Sequence, residues 1–241
     1  MDDEYYMTEE QRIQLEMDKA EKKKGKEKWK RIIVWAIAVI AVLAIIWFAF
    51  LRDLYYEMNY TVRKPVIYLY PEDTTEVSVT LDINGDLTTT YPKYENGWTV
   101  TADPDGTLTD DLGKSYNYLY WEAETDATFD MSEGFCVKGS ETAEFLENAL
   151  SELGLTRREA NEFIVYWLPL MEGNEYNVIS FQSEAYTDNA KLYVNPEPDT
   201  LIRVFMTWYG SKKPVEIKEQ KLTAPERKGF TVVEWGGSMV K

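Results

Sequence analysis

Twenty consecutive residues, Ile32 to Leu51 (IIVWAIAVIAVLAIIWFAFL), carry neither a charge nor a strongly polar group. At 1.5 Å rise per residue a helix of that length measures ~30 Å, the thickness of a bilayer hydrocarbon core. A buried core helix would show a polar face, and this run has none. Trp35 and Trp47 lie toward its two ends and Tyr55 and Tyr56 follow it, as interfacial aromatics do. The run predicts one transmembrane helix over 32–51.

Its direction follows from the flanking cations. Nine basic residues precede the run: Arg12, Lys19, Lys22, Lys23, Lys24, Lys26, Lys28, Lys30 and Arg31. Only Arg52, Arg63 and Lys64 occur in the 20 residues after it. This excess predicts a cytoplasmic N-terminus and an extracytoplasmic C-terminal part. The long charged lead and the absence of a small-residue cleavage site before Arg52 favour an uncleaved signal anchor. The expected order is a charged tail over 1–31, the anchor over 32–51, a juxtamembrane linker over 52–63 and a domain over 64–241.

Nine acidic groups balance the nine basic ones before the span, so the whole net charge of −16 lies beyond it. That disfavours nucleic acid as a partner and permits cationic peptides, metal ions or a basic protein surface. Histidine is absent and Cys136 is the only cysteine. Ser-His-Asp and Cys-His chemistry and histidine-ligated zinc are thereby removed, as is any disulfide within the chain. An extracytoplasmic domain without disulfides fits a bacterial surface. Nothing in the sequence calls for a cofactor.

Beyond residue 64, β signals dominate. Pro65 to Pro71 is an apolar run bounded by prolines, a buried strand. Val77, Val79, Leu81 and Ile83 alternate with polar residues, and Asn84-Gly85 then suits a tight hairpin with a return strand over 87–91. Further strands are expected over 97–102, 116–123, 135–137, 163–168, 177–181, 201–208 and 230–235. Between them, Ser140 to Leu153 sets Ala143, Leu146, Ala149, Leu150 and Leu153 on one helical face, and Gly154 stops it. Thr156-Arg157-Arg158-Glu159 has the form of a capping box opening a shorter second helix. The expected class is α+β: a single N-terminal transmembrane helix, then a mainly antiparallel β domain with an inserted αα-hairpin.

The segments KPVIYLYP (64–71), YNYLYWE (116–122), FIVYWLP (163–169), PDTLIRVFM (198–206) and VVEWGG (232–237) resemble those of an uncharacterised family of bacterial membrane-anchored proteins. The resemblance spans most of 64–237. It implies topology and a bacterial source, and no activity.

Chemistry has few candidates. Asp103-Pro104-Asp105-Gly106 has part of a calcium-loop pattern, but Thr101 and Leu112 stand where the first ligand and the bidentate Glu belong. Ser238 to Lys241 matches Ser-x-x-Lys only by form. Cys136 reads as a small buried hydrophobe, with a thiol activated by Lys138 or the following helix as the alternative. The carboxylates flanked by aromatics or Met are Glu122 after Trp121, Glu172 after Met171, and Glu234 before Trp235. Such a set fits a sugar-binding cleft, a two-carboxylate hydrolase, or core rings with solvent-facing acids. No residue is assigned as catalytic. The expected function is a non-enzymatic binding or interaction module at a bacterial cell membrane, for an envelope protein or a wall glycan. A carboxylate-based glycan hydrolase and a structural accessory subunit of an envelope complex are the alternatives.

Overall fold

The computed structural model describes residues 8–58, 60–125 and 127–240, with side chains over most of the helix to Phe48 and again from Arg63 onward. It divides into two units, residues 1–56 and 57–241. The first unit is a helix, α1 (Glu9–Met58), which therefore includes most of the expected charged tail. No proline interrupts residues 9–58, and exposed pairs such as Lys30–Glu27 (2.9 Å) support the charged stretch at helical spacing. Every described side chain from Ile33 to Phe48 is exposed, so the apolar stretch has no protein core to enter. Over Glu21–Phe48 the helix is long and apolar enough to cross a membrane, the form shared by a signal anchor and a signal sequence. The side chains of Tyr55 and Tyr56 lie outside the described residues.

The second unit is α+β. Among the described residues its strands are β1 (Tyr60–Tyr70), β2 (Thr75–Ile83), β3 (Gly85–Tyr91), β4 (Trp98–Ala102), β5 (Leu108–Thr109), β6 (Ser115–Tyr116), β7 (Leu119–Thr125), β8 (Glu133–Lys138), β9 (Tyr176–Gln182), β10 (Ala190–Asn195), β11 (Thr200–Ser211), β12 (Lys218–Glu219) and β13 (Thr231–Met239). Between β8 and β9 lie α2 (Thr142–Glu152) and α3 (Arg157–Met171), and a single turn, α4 (Glu184–Thr187), precedes β10. Within the segment expected as a linker, residues 52–58 continue α1 and residues 60–63 begin β1, and no Gly or Pro in 52–63 breaks either element.

Eight strands form one sheet in the order β12-β8-β9-β11-β13-β1-β7-β3, and five form another, β10-β2-β4-β5-β6. Pairing is antiparallel except between β11 and β13 and between β8 and β12. The two helices cover one face of the large sheet, with Leu146, Leu150, Phe163, Trp167 and Met171 set against Val66, Tyr68, Val204, Met206 and Trp235. The small sheet covers the other face, where Val77, Val79, Trp98 and Val100 meet Ile67, Leu69, Leu119, Trp121 and Phe205. Strands covered on both faces have no solvent side, which is why Pro65 to Leu69 and Thr231 to Ser238 are buried without a break. Gly237 belongs to that close packing: a Cβ there would come within 2.8 Å of the Trp167 ring and 2.5 Å of the Met206 carbonyl.

The αα-hairpin forms as expected. Thr156 and Glu159 complete the capping box, Thr156 N–H donating to Glu159 Oε2 at 2.7 Å. Two other expectations are overturned. Residues 163–168 are not a strand but the middle of α3, because Ala160, Phe163, Trp167 and Met171 repeat at helical spacing and drop onto the sheet. Pro169 sits in the last turn, where its missing N–H removes a single helical bond. Nor is Asn84-Gly85 a hairpin turn. Both edges of β2 are taken, by β10 and β4, so the chain crosses to the other sheet and β3 pairs with β7. The corner is held by Asn84 N–H to the Asn189 carbonyl (2.8 Å) and by Thr125 Oγ1 to the Asn84 carbonyl (2.8 Å).

Gly85 makes this corner possible. Its φ is +150°, and a Cβ would lie 2.0 Å from the Glu124 carbonyl oxygen. Gly85→Ala is expected to lower stability by about 2 kcal/mol or more, from backbone strain and displacement of β7. Chemical unfolding of the full chain in detergent measures it; a change under about 0.5 kcal/mol, the size of a neutral surface substitution, overturns this account.

Candidate functional site

β7 alternates about the plane of the large sheet. Leu119, Trp121 and Ala123 point toward the small sheet, while Tyr120 and Glu122, with Tyr118 just before the strand, face the helix side. Its neighbour β1 sends Tyr68 to the same side, with Tyr70 packed against it. A strip of tyrosines results. Tyr68 and Tyr70 stack at 6.1 Å, and Tyr118 meets Tyr68 edge-on at 5.4 Å. From α3, Glu162 accepts the Tyr68 hydroxyl at 2.8 Å, and Tyr166 closes the strip beside Lys64.

Lys64 is drawn into this strip by the backbone. It has a left-handed φ of 56° within a register shift that β1 makes against both β7 and β13. Its ammonium lies 5.4 Å from the Tyr118 ring, 5.4 Å from Tyr120 and 5.6 Å from Tyr166, a cation held over three π faces. The Lys64 N–H donates to Glu122 Oε1 at 3.3 Å. At the far end Arg227 lies over Tyr70 at 5.7 Å and is ion-paired with the fully buried Glu159. Burial, and then the carboxylates of Glu162, Glu159 and Glu122, push the phenols of Tyr68, Tyr70 and Tyr120 well above the ordinary tyrosine value. Tyr166 moves the same way, through burial and then the Glu122 charge.

The opposite face of the sheet holds a buried ion pair. Arg203 on β11 and Glu234 on β13 are partners in the parallel register, and Arg203 Nε donates to Glu234 Oε2 at 2.7 Å. Trp121 Nε1 donates to the other carboxylate oxygen at 3.2 Å, and the guanidinium lies over the Tyr186 ring at 4.7 Å. Glu234 is fully buried. A carboxylate so enclosed and so fully hydrogen-bonded is not open to a substrate.

The five residues expected as a site are therefore dispersed. Trp121 and Glu234 join in the inter-sheet pair; Trp235 is turned to the helix side, edge-on to Phe163 at 5.3 Å. Glu122 is in the tyrosine strip, across the sheet from Glu234, and Glu172 is exposed at the end of α3. Glu122 and Glu234 cannot act on the two sides of one bond. What sequence reasoning missed are Lys64, Tyr68, Tyr70, Tyr118, Tyr120, Tyr166 and Arg203. The signal was available: tyrosines at 68 and 70 and at 118 and 120 each follow the two-residue strand period, so neighbouring strands give one face.

The remaining motifs are local structure. Asp103 to Gly106 is a turn, with Gly106 N–H donating to the Asp103 carbonyl (2.8 Å) and Thr107 N–H to Asp105 Oδ1 (2.8 Å). Among the described residues no group of three or more acidic or cysteine side chains could hold a metal ion. Cys136 is half-buried and its sulfur accepts from Val215 N–H at 3.2 Å.

Fold and site together define an α+β domain, preceded by an apolar helix, that carries a half-buried tyrosine strip. The chain is a partial homologue of a bacterial protein: it is 52% identical over 64 residues to an uncharacterized protein in the bglA 3′ region of Butyrivibrio fibrisolvens. The match covers 25% of this chain and 66% of the relative, just under two thirds of that protein's length. No protein-family model matches the chain, and no solved structure does.

Two outcomes follow. Arg203→Met or Glu234→Leu alone leaves an unpaired buried charge and is expected to cost about 3–5 kcal/mol, whereas the double variant recovers much of that. Additive losses in denaturant unfolding would contradict the pair. Second, the raised phenols bind protons the unfolded chain has released, so their stabilisation is intact below pH ~10 and is lost as pH climbs above it. Unfolding midpoints should fall over that range, and less steeply after Tyr70→Phe; equal slopes for the two chains would count against it.

Proposed function

We propose that the protein is a non-enzymatic binding module of a bacterial cell envelope, anchored by α1 as an uncleaved span with its acidic domain outside the cytoplasm, and that the tyrosine strip takes a wall glycan. The excess of cations before the apolar run supports the orientation. The observation that carries the binding reading is the strip itself: Tyr70, Tyr118, Tyr120 and Tyr166 are only half-buried, with Glu122 and Glu162 between them. Flat rings offer stacking faces to the apolar faces of sugar rings, and carboxylates accept hydroxyl hydrogen bonds.

Two measurements test this. In intact cells, an impermeant thiol reagent should label Ser140→Cys but not Gly25→Cys, both in a Cys136→Ser background; the reverse pattern removes the orientation. With the full chain in lipid nanodiscs, soluble wall glycan strands should be retained, and Tyr120→Ala should weaken retention about tenfold, equivalent to ~1.4 kcal/mol, while Tyr120→Phe keeps most of it. No retention, or none that responds to Tyr120→Ala, overturns the glycan reading.

A further inference from the structure

β9 sends alternate side chains to the two faces of the large sheet. Ile179 and Phe181 enter the helix-side core, so Ser180 and Gln182 face the other way. Both are nearly enclosed, at 2% and 8% exposed. A buried amide is costly unless its polar atoms are bonded, and Gln182 is bonded at one end only. Its Nε2 donates to the Asp130 carbonyl (2.8 Å), to Thr207 Oγ1 (2.9 Å) and to Ser180 Oγ (3.1 Å). A backbone carbonyl only accepts, so the nitrogen must be on that side and the orientation of the amide is fixed. Its oxygen, Oε1, meets no donor among the described residues.

That oxygen is not sealed in a core: Gln182 lines a cleft of about 270 Å³ between residues 130–133 and residues 180–185. Ser180 and Gln182 make its floor, and the exposed Asp130, Ser132, Ser183 and Glu184 make its rim. Gln220 orders the wall from the sheet edge, accepting from the Phe181 N–H at 2.9 Å and donating to the Phe181 carbonyl at 2.6 Å, in the place of a neighbouring strand. The backbone N–H and the hydroxyl of Ser132 donate to the two oxygens of Asp130 at 2.8 and 2.9 Å and hold its carboxyl below the ordinary aspartate range. Glu133, also on the wall, is already paired with Lys218. Asp130 and Glu184 have no cation partner among the described residues.

An open acceptor at the floor and two unpaired carboxylates at the rim suit a group that is positively charged and also carries N–H donors. The volume is just under the ~300–1,000 Å³ of pockets that enclose a whole small ligand, and it fits one long side chain of something larger. The geometry points to a second binding site in this cleft, which takes the ammonium or guanidinium of a lysine or arginine side chain on a basic peptide. Gln182 Oε1 accepts an N–H at the floor, and Asp130 and Glu184 balance the charge at the rim. The cleft is on the opposite face of the large sheet from the tyrosine strip and does not depend on the glycan reading.

The test uses the full chain in zwitterionic lipid nanodiscs, whose bilayer does not itself collect cations, and the blocked peptide N-acetyl-Gly-Arg-Gly-amide, titrated by ligand-observed saturation-transfer NMR. Binding is expected. It should weaken about fivefold or more when citrulline, which keeps the shape without the charge, replaces arginine, and likewise with trimethyllysine, which keeps a charge without N–H donors. Asp130→Asn with Glu184→Gln, both at exposed positions, should weaken the arginine peptide about fivefold. Glu76→Gln with Asp82→Asn removes the same charge from exposed positions on β2 and should leave binding unchanged. No binding of the arginine peptide overturns the inference. Equal binding of the trimethyllysine peptide overturns it too, because charge alone would then account for the contact. Equal weakening by the two charge variants would assign the binding to the diffuse negative field of the domain, and overturns it as well.

Discussion

Burial of the large sheet on both faces is the constraint that the rest of the domain satisfies. β1 and β13 carry apolar side chains in both directions, Val66 and Trp235 toward one face, Ile67 and Val232 toward the other. A sheet with such strands at its centre would expose a large apolar area if either layer were missing. The helices cover one side and the small sheet the other, and each layer brings its own large side chains, Phe163 and Trp167 from α3 and Trp98 from β4. The crossing at Gly85 belongs to this requirement. A hairpin there would have kept β3 beside β2; instead β3 extends the large sheet and closes the outer edge of β7.

Placing a charge pair inside such a core is costly unless the geometry compensates. Arg203 and Glu234 are aligned by the parallel register of β11 and β13, so neither side chain has to search for its partner. Trp121 occupies the second carboxylate oxygen and Tyr186 the guanidinium face. Glu234 therefore joins three strands, β7, β11 and β13, across β1. Its neighbour Trp235 points the other way into the helix layer, so the VVEWGG segment ties both cores together within two residues.

Much of this was legible in the chain, for identifiable reasons. The apolar run at 32–51, the capping box at Thr156 and Glu159, and the strands at β2, β9 and β11 are local patterns, and local patterns survive folding when nothing opposes them. The failures were where a longer-range requirement won. Asn84-Gly85 has hairpin chemistry, but β10, more than 100 residues later, takes the edge a hairpin would need. FIVYWLP reads as a strand because every position is apolar, and only the sheet beneath distinguishes the buried residues from the rest. The dispersal of the five candidate residues has a related reason. A carboxylate beside a tryptophan in sequence is on the other face of its strand, so the side chains of Glu122 and Trp121 are on opposite sides of the sheet, as are those of Glu234 and Trp235.

The same alternation explains where the tyrosine strip arises. Tyr118, Tyr120 and Glu122 are the other half of the pattern that buries Leu119, Trp121 and Ala123. The helix pair packs chiefly over β9, β11, β13 and β1 and leaves the outward side of β7 half-covered, so aromatic side chains there must be stable at a protein–water boundary. Tyrosine meets that requirement, with a ring for packing and a hydroxyl for water or a carboxylate. Lys64 and Arg227 supply cations over the rings at the two ends of the strip, and the carboxylates of Glu122 and Glu162 are held between them. A strip built in this way is packed without being closed, because its rings lie against one another and over β1, and Tyr70, Tyr118, Tyr120 and Tyr166 remain half-exposed.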